Sequence, residues 1–119
     1  YVTEYTRSGS KLFAIITNDG WWDVSEGHKQ HLSYAKLRAI ENRRNIVRSA
    51  NTGVSAIINY RGEIEYSIEY GEEGFINTNV GLIEEKTFYV NYGDYIFRIS
   101  LFFFIIIGLH FVATIVKIK

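Results

Sequence analysis

Apolar positions fall into several short runs and one long one, and the spacing within each run predicts the element it forms. Residues 12–17, LFAIIT, are almost wholly apolar between turn signals, which predicts a short strand covered on both faces. Residues 46–50 and 54–59 are β-branched runs separated by Asn51, Thr52 and Gly53, a break that predicts a hairpin. After a turn at Arg61 and Gly62, residues 63–70, EIEYSIEY, alternate charged or polar with apolar positions, predicting an edge strand with one wet face. Gly71 to Gly74 is another turn, residues 75–80 read as a further short strand, and residues 87–92 as extended and aromatic.

Helical spacing appears in three places. Tyr1, Val2 and Tyr5, with Arg7 and then Gly9, fit the last turns of a helix with a glycine stop. Residues 28–44 place Leu32, Ala35, Ala39 and Ile40 on one face, while Lys29, Lys36, Arg43 and Arg44 occupy the rest, and Arg38 and Glu41 are spaced to pair on the surface. Residues 99–116 are apolar apart from Ser100, Gly108, His110 and Thr114, and at about 1.5 Å per residue such a run nearly matches a ~30 Å hydrocarbon core. It reads as a membrane span. Tyr89, Tyr92 and Tyr95 supply an interfacial aromatic belt before it, Lys117 and Lys119 favour a cytoplasmic end after it, and His110 is expected to face other helices.

Between the first strand and the central helix, residues 18–27 hold Asn18, Asp19, two glycines and the adjacent Trp21 and Trp22. Two indoles on one loop are costly to leave wet, so one is expected to pack on the core while the other faces a cleft. His28 and His31 lack the four-residue step that sets two ligands on one helical face, and no carboxylate completes a triad, so they read as polar loop and cap residues rather than metal ligands.

The totals narrow the chemistry. The 119 residues have room for one domain, and 13 basic against 13 acidic residues give no general attraction to nucleic acid. With no cysteine there is neither a disulfide framework nor a thiolate nucleophile in these residues. No secretory signal pattern stands in the polar residues 1–11, and a chain that opens at Tyr1 without any methionine reads as a piece of a longer reading frame.

The loop TNDGWW at 17–22, the helix GHKQHLSYAKLRAIENRR at 27–44, the hairpin RSANTGVSA at 48–56 and the turn RGEI at 61–64 together resemble the carbon–nitrogen hydrolase (nitrilase) superfamily. Within it, the loop, the glutamine-histidine opening of the helix and the terminal span resemble the branch of membrane N-acyltransferases that finish bacterial lipoproteins. The resemblance covers about three quarters of the chain. It implies an α/β (α+β) fold, the second half of a nitrilase-like αββα sandwich in residues 1–94, followed by one C-terminal transmembrane helix and a short cytoplasmic tail in 95–119.

The chemistry implied is acyl transfer through a cysteine thioester, with a glutamate base and a lysine supporting the tetrahedral intermediate. The partners implied are a phospholipid acyl donor, a lipidated apolipoprotein acceptor and membrane lipid, with no nucleic acid and no cofactor. The location implied is the bacterial inner membrane, with the domain on its periplasmic face. The family's cysteine, glutamate and lysine correspond to positions before Tyr1, so no catalytic residue is assigned here, and Glu4, Lys11, Glu26 and Glu41 are not substitutes for them. The segment alone is therefore expected to be inactive. What the resemblance transfers is a substrate-binding wall: Trp21 lining the acyl or lipoprotein site, Trp22 meeting lipid, and Asn18 and Asp19 shaping the loop. Arg48 and Asn51 read as braces. Asp23 departs from the glycine common after the aromatic pair, so the loop backbone is expected to differ there. Two other functions compete: an amidase of the soluble nitrilase type, which the apolar tail disfavours, and a membrane-tethered binding domain without catalysis.

Overall fold

The computed structural model describes residues 2–22 and 25–118; Asp23 and the expectation attached to it lie outside them. Helix α1 (Val2–Arg7) ends at Gly9, whose φ of +100° reverses the chain into β1 (Leu12–Thr17). A 3-10 turn (Gly20–Trp22) leads towards α2 (Gly27–Asn42), and β2 (Asn45–Ala50), β3 (Ser55–Ile58) and β4 (Ile64–Ile68) follow. The sheet order is β1-β2-β3-β4, with β1 and β2 parallel and the other pairs antiparallel. Parallel neighbours require a crossover, and α2 supplies it.

The register explains the core. Ile15 stands opposite Arg48, and Ile46 opposite both Phe13 and Ile58, so Phe13, Ile15, Ile46, Ile58 and Ala56 share one sheet face. Against that face α2 presents Ala35 and Ala39, both buried, with Leu32 alongside. The two alanines let the helix lie close, and Ile46 and Ile58 are wholly buried beneath it. Each isoleucine contributes about 1.5–3 kcal/mol by leaving water. Ile40, expected on the same stripe, is instead half exposed, because the stripe has already turned towards the 59–62 turn by the end of the helix.

Four expectations are corrected. Residues 12–17 form a strand, but among the described residues it is an edge strand covered only on the α2 side: Ile16, on the opposite face, is 89% exposed. Residues 75–80 form no strand: Phe75 and Ile76 border a cleft with Val47, Ile57 and Ile68 on the far face of the sheet, and the run does not join the ladder. Residues 87–92 are not extended: Thr87 accepts from the Val90 N–H (3.0 Å) and caps a short helix, α3 (Phe88–Tyr92). Strand β4 is at the edge as expected, yet it is wet on both faces, with Ile68 alone half-buried.

The last helix, α4 (Tyr95–Ile118), contains a 23-residue stretch, Tyr95–Lys117, whose most apolar window has a mean hydropathy of 2.6 and no buried residue. Its length, about 35 Å at 1.5 Å per residue, and its composition suffice to cross a membrane. Phe88 packs on Tyr92 (4.3 Å between ring centroids) and edge-on to Tyr95 (4.8 Å), forming an aromatic cluster at its foot.

Candidate functional site

Because β1 and β2 are parallel, their C-terminal ends lie together, and the loop after β1 meets the hairpin after β2 there. The Asn51 N–H donates to the Thr17 carbonyl (3.0 Å), extending the ladder by one step, and the Asn51 side-chain amide reaches Asn18 Oδ1 (3.4 Å). Asn18 Oδ1 also accepts from the Gly20 N–H (3.1 Å), the Asx geometry that turns the chain into the 3-10 segment.

Beneath this turn Asp19 is wholly buried. One carboxylate oxygen accepts from Thr17 Oγ1 (3.0 Å) and faces His31 Nδ1 (2.9 Å); the other accepts from Arg48 Nη2. Arg48 is itself buried, and its Nε donates to the Val54 carbonyl (3.2 Å). A carboxylate can only accept, so His31 meets Asp19 with a proton on Nδ1. The 3.4 Å approach of Arg48 Nη2 to that nitrogen is then proximity rather than a bond. Burial pushes the Asp19 carboxyl up, but the His31 bond, the Arg48 charge and the Thr17 hydroxyl together outweigh it and hold the group below its ordinary value. Gly53 of the hairpin lies directly over Asp19: a Cβ there would fall inside the carboxylate.

The two tryptophans differ in exposure, but neither takes the place expected of it. Trp21 is 84% exposed and stands free at the strand ends. Trp22 packs edge-on against His31, 5.1 Å between ring centroids, and closes over Gly27, where a Cβ would come 2.6 Å from its ring. It rests on the helix start rather than on the core, and 41% of it remains exposed.

The histidines are not the polar loop and cap residues expected of them. His28 is buried in the first turn of α2 and tilted against Tyr70 at 4.5 Å, and His31 joins the Asp19 network. The network runs through three elements, so no single stretch of sequence shows it. A signal for Arg48 did exist: it shares the inward register of Ile46 on a β-branched strand, and an inward arginine needs buried acceptors, a carboxylate or a set of carbonyls. Asn18 and Asp19 shape the loop geometry, Asn51 braces it, and Trp21 is the large side chain it displays.

These features define a mixed α/β domain with a C-terminal helix long and apolar enough to cross a membrane, whose strand-end loop, fixed by a buried ion pair, carries an exposed indole. No family model matches the chain. It is 44% identical over 90 residues to the apolipoprotein N-acyltransferase of Geobacter metallireducens, covering 76% of this chain and 17% of that protein. It is 43% identical over 79 residues to that of Bradyrhizobium diazoefficiens (66% and 15%), and 33% identical over 100 residues to that of Chlorobaculum tepidum (84% and 19%). The chain is thus homologous to a segment of the apolipoprotein N-acyltransferases, and it spans only 15–19% of the length of these three curated relatives.

Proposed function

We propose that this chain forms one wall of the acyl-transfer site of an apolipoprotein N-acyltransferase and supplies one of its membrane anchors. In this reading residues 1–94 belong to a nitrilase-like αββα sandwich on the periplasmic face of the inner membrane, and residues 95–119 form a span with a short cytoplasmic tail. The bare β1 face, with Ile16 outermost, is where the rest of such a sandwich would pack. A phospholipid gives its acyl chain to a cysteine outside this chain, and the thioester passes it to the N-terminal amine of a diacylglyceryl apolipoprotein. A thiolate suits both steps, since it attacks an ester readily and leaves well when an amine displaces it.

The observation that carries this reading is Trp21: an indole left in solvent on a loop whose base is held by a buried Arg48–Asp19–His31 network. A rigid mount for an exposed aromatic is what a substrate-positioning wall needs. Two measurements test it. In the full-length protein that carries this segment, Trp21→Ala should lower transfer of a labelled acyl group to an apolipoprotein substrate by at least about tenfold, while leaving the melting temperature unchanged. The purified 119-residue chain should transfer none. Unchanged transfer by the Trp21→Ala protein, or transfer by the isolated chain, would remove the proposal.

A further inference from the structure

The opposite end of the sheet carries a cleft that acyl transfer does not explain. It has a volume of about 650 Å³ and lies between the end of α2 (Ile40, Arg43), the β3–β4 turn (Tyr60, Arg61) and the segment after residue 80 (Ile83, Glu85). Its walls are held firmly. The turn is drawn in by the Tyr60 N–H bonding Asn45 Oδ1 (2.8 Å), and it is sealed by Gly62, where a Cβ would come 2.7 Å from Ile40. The far wall is clamped by Arg44, whose buried guanidinium donates to the Glu84 and Glu85 carbonyls.

Two cations face this space. Arg43 has φ +50°, the left-handed region that a helix end normally gives to glycine, so an arginine stands here against a backbone preference. Its partner is Glu85 at 2.7 Å, with both side chains about half or more exposed, so the pair is weak and a phosphate can displace the carboxylate. Arg61 lies over the Tyr60 ring at 5.4 Å and meets no carboxylate among the described residues. Ile40, Ile83 and the Tyr60 ring supply the apolar part of the lining.

The cleft also lies at the end of the domain from which the span departs. Arg7, the last residue of α1, donates to the Val90 carbonyl in α3 (2.6 Å), and a Cβ on Gly93, two residues before α4, would come 3.9 Å from the Arg7 guanidinium. The start of β1 is joined to the cleft wall by the Ile83 N–H bonding the Lys11 carbonyl (3.2 Å). A net positive, half-apolar cleft at the membrane end of the domain matches the boundary between a lipid's phosphate and its chains.

We propose that this cleft binds the phosphate head group of an anionic membrane lipid, with Arg61 and Arg43 as the phosphate ligands. The assignment rests on α4 crossing a membrane and not on acyl transfer. The test uses the full-length protein in nanodiscs of phosphatidylcholine containing phosphatidylglycerol, with retained lipid read by native mass spectrometry. The unaltered protein should retain phosphatidylglycerol in preference, and Arg61→Gln with Arg43→Gln should reduce that preference by about tenfold per arginine. Arg43→Gly relieves the backbone strain while removing the charge, so it should lose lipid yet melt no lower, which separates lost binding from lost folding. Equal retention by the unaltered and double-variant proteins overturns the proposal. So does binding of inorganic phosphate or glycerophosphoglycerol as tight as that of the intact lipid, because it would assign the site to a soluble anion. Acyl transfer measured on the same samples should be unchanged, so its loss in the Trp21→Ala protein bears on the other proposal alone.

Discussion

Two arginines four residues apart, Arg44 and Arg48, are both buried and do opposite jobs. Arg48 meets a carboxylate, and the ion pair joins side chains from the β1 loop, α2 and β2. Arg44 meets only carbonyl oxygens, those of Ser10 (2.7 Å), Asn42 (3.3 Å) and Arg43 (2.8 Å) besides Glu84 and Glu85. Burial lowers the Arg44 pKa, with no carboxylate to counter it, yet the group is an arginine and stays charged. The difference is one of stakes. An ion pair buried with its partner leaves a bare charge when half of it is removed, whereas a guanidinium on backbone carbonyls leaves only neutral acceptors near the surface.

That contrast orders the consequences. Asp19→Ala should be the most damaging change, costing about 3–5 kcal/mol by stranding Arg48, as measured by chemical denaturation in detergent. A milder loss when Asp19→Leu is combined with Arg48→Met would confirm that the stranded charge, and not the missing bond, is responsible. Arg44→Met should cost about 1–3 kcal/mol, and its signature is local: faster amide exchange around residues 83–87, with the Trp21 loop unaffected. Acid should distinguish the two arginines as well. The folded Asp19 carboxyl has a lowered pKa, so its contribution to stability is complete above the ordinary unfolded value of about 3.9 and is lost as pH falls through the folded value. An Asp19→Asn protein should lack that part of the acid limb, while Arg44→Met should keep it. Smallest of all, Trp21→Ala should move stability by no more than about 0.5 kcal/mol, since the indole is 84% exposed.

The secondary structure was legible wherever one face alone decided it. The β-branched runs around Ile46 and Ile58, the alanines of α2, the glycine stop at Gly9 and the apolar length of α4 each state their environment locally. The misreadings fall where the neighbourhood, not the pattern, sets the outcome. LFAIIT has the composition of a doubly covered strand, but a composition cannot reveal that nothing among the described residues covers Ile16. The aromatic run at 87–92 looked extended until Thr87 found the Val90 N–H, and the 75–80 run had strand-like residues with no free ladder to join. At the site, the loop composition at Asn18 and Asp19 announced a turn at the strand end, whereas the burial of Asp19 against Arg48 was not visible in it. His31 could not be read either, because its role depends on a carboxylate twelve residues away that reaches the same face of α2 only after the chain has turned.

Gly53 over Asp19 has a bearing on motion. The hairpin backbone packs directly on the carboxylate, so the hairpin cannot open without exposing a buried ion pair. Trp21 therefore stands on a rim whose base is tied to the hairpin through a buried ion pair, rather than on a segment anchored only at its ends.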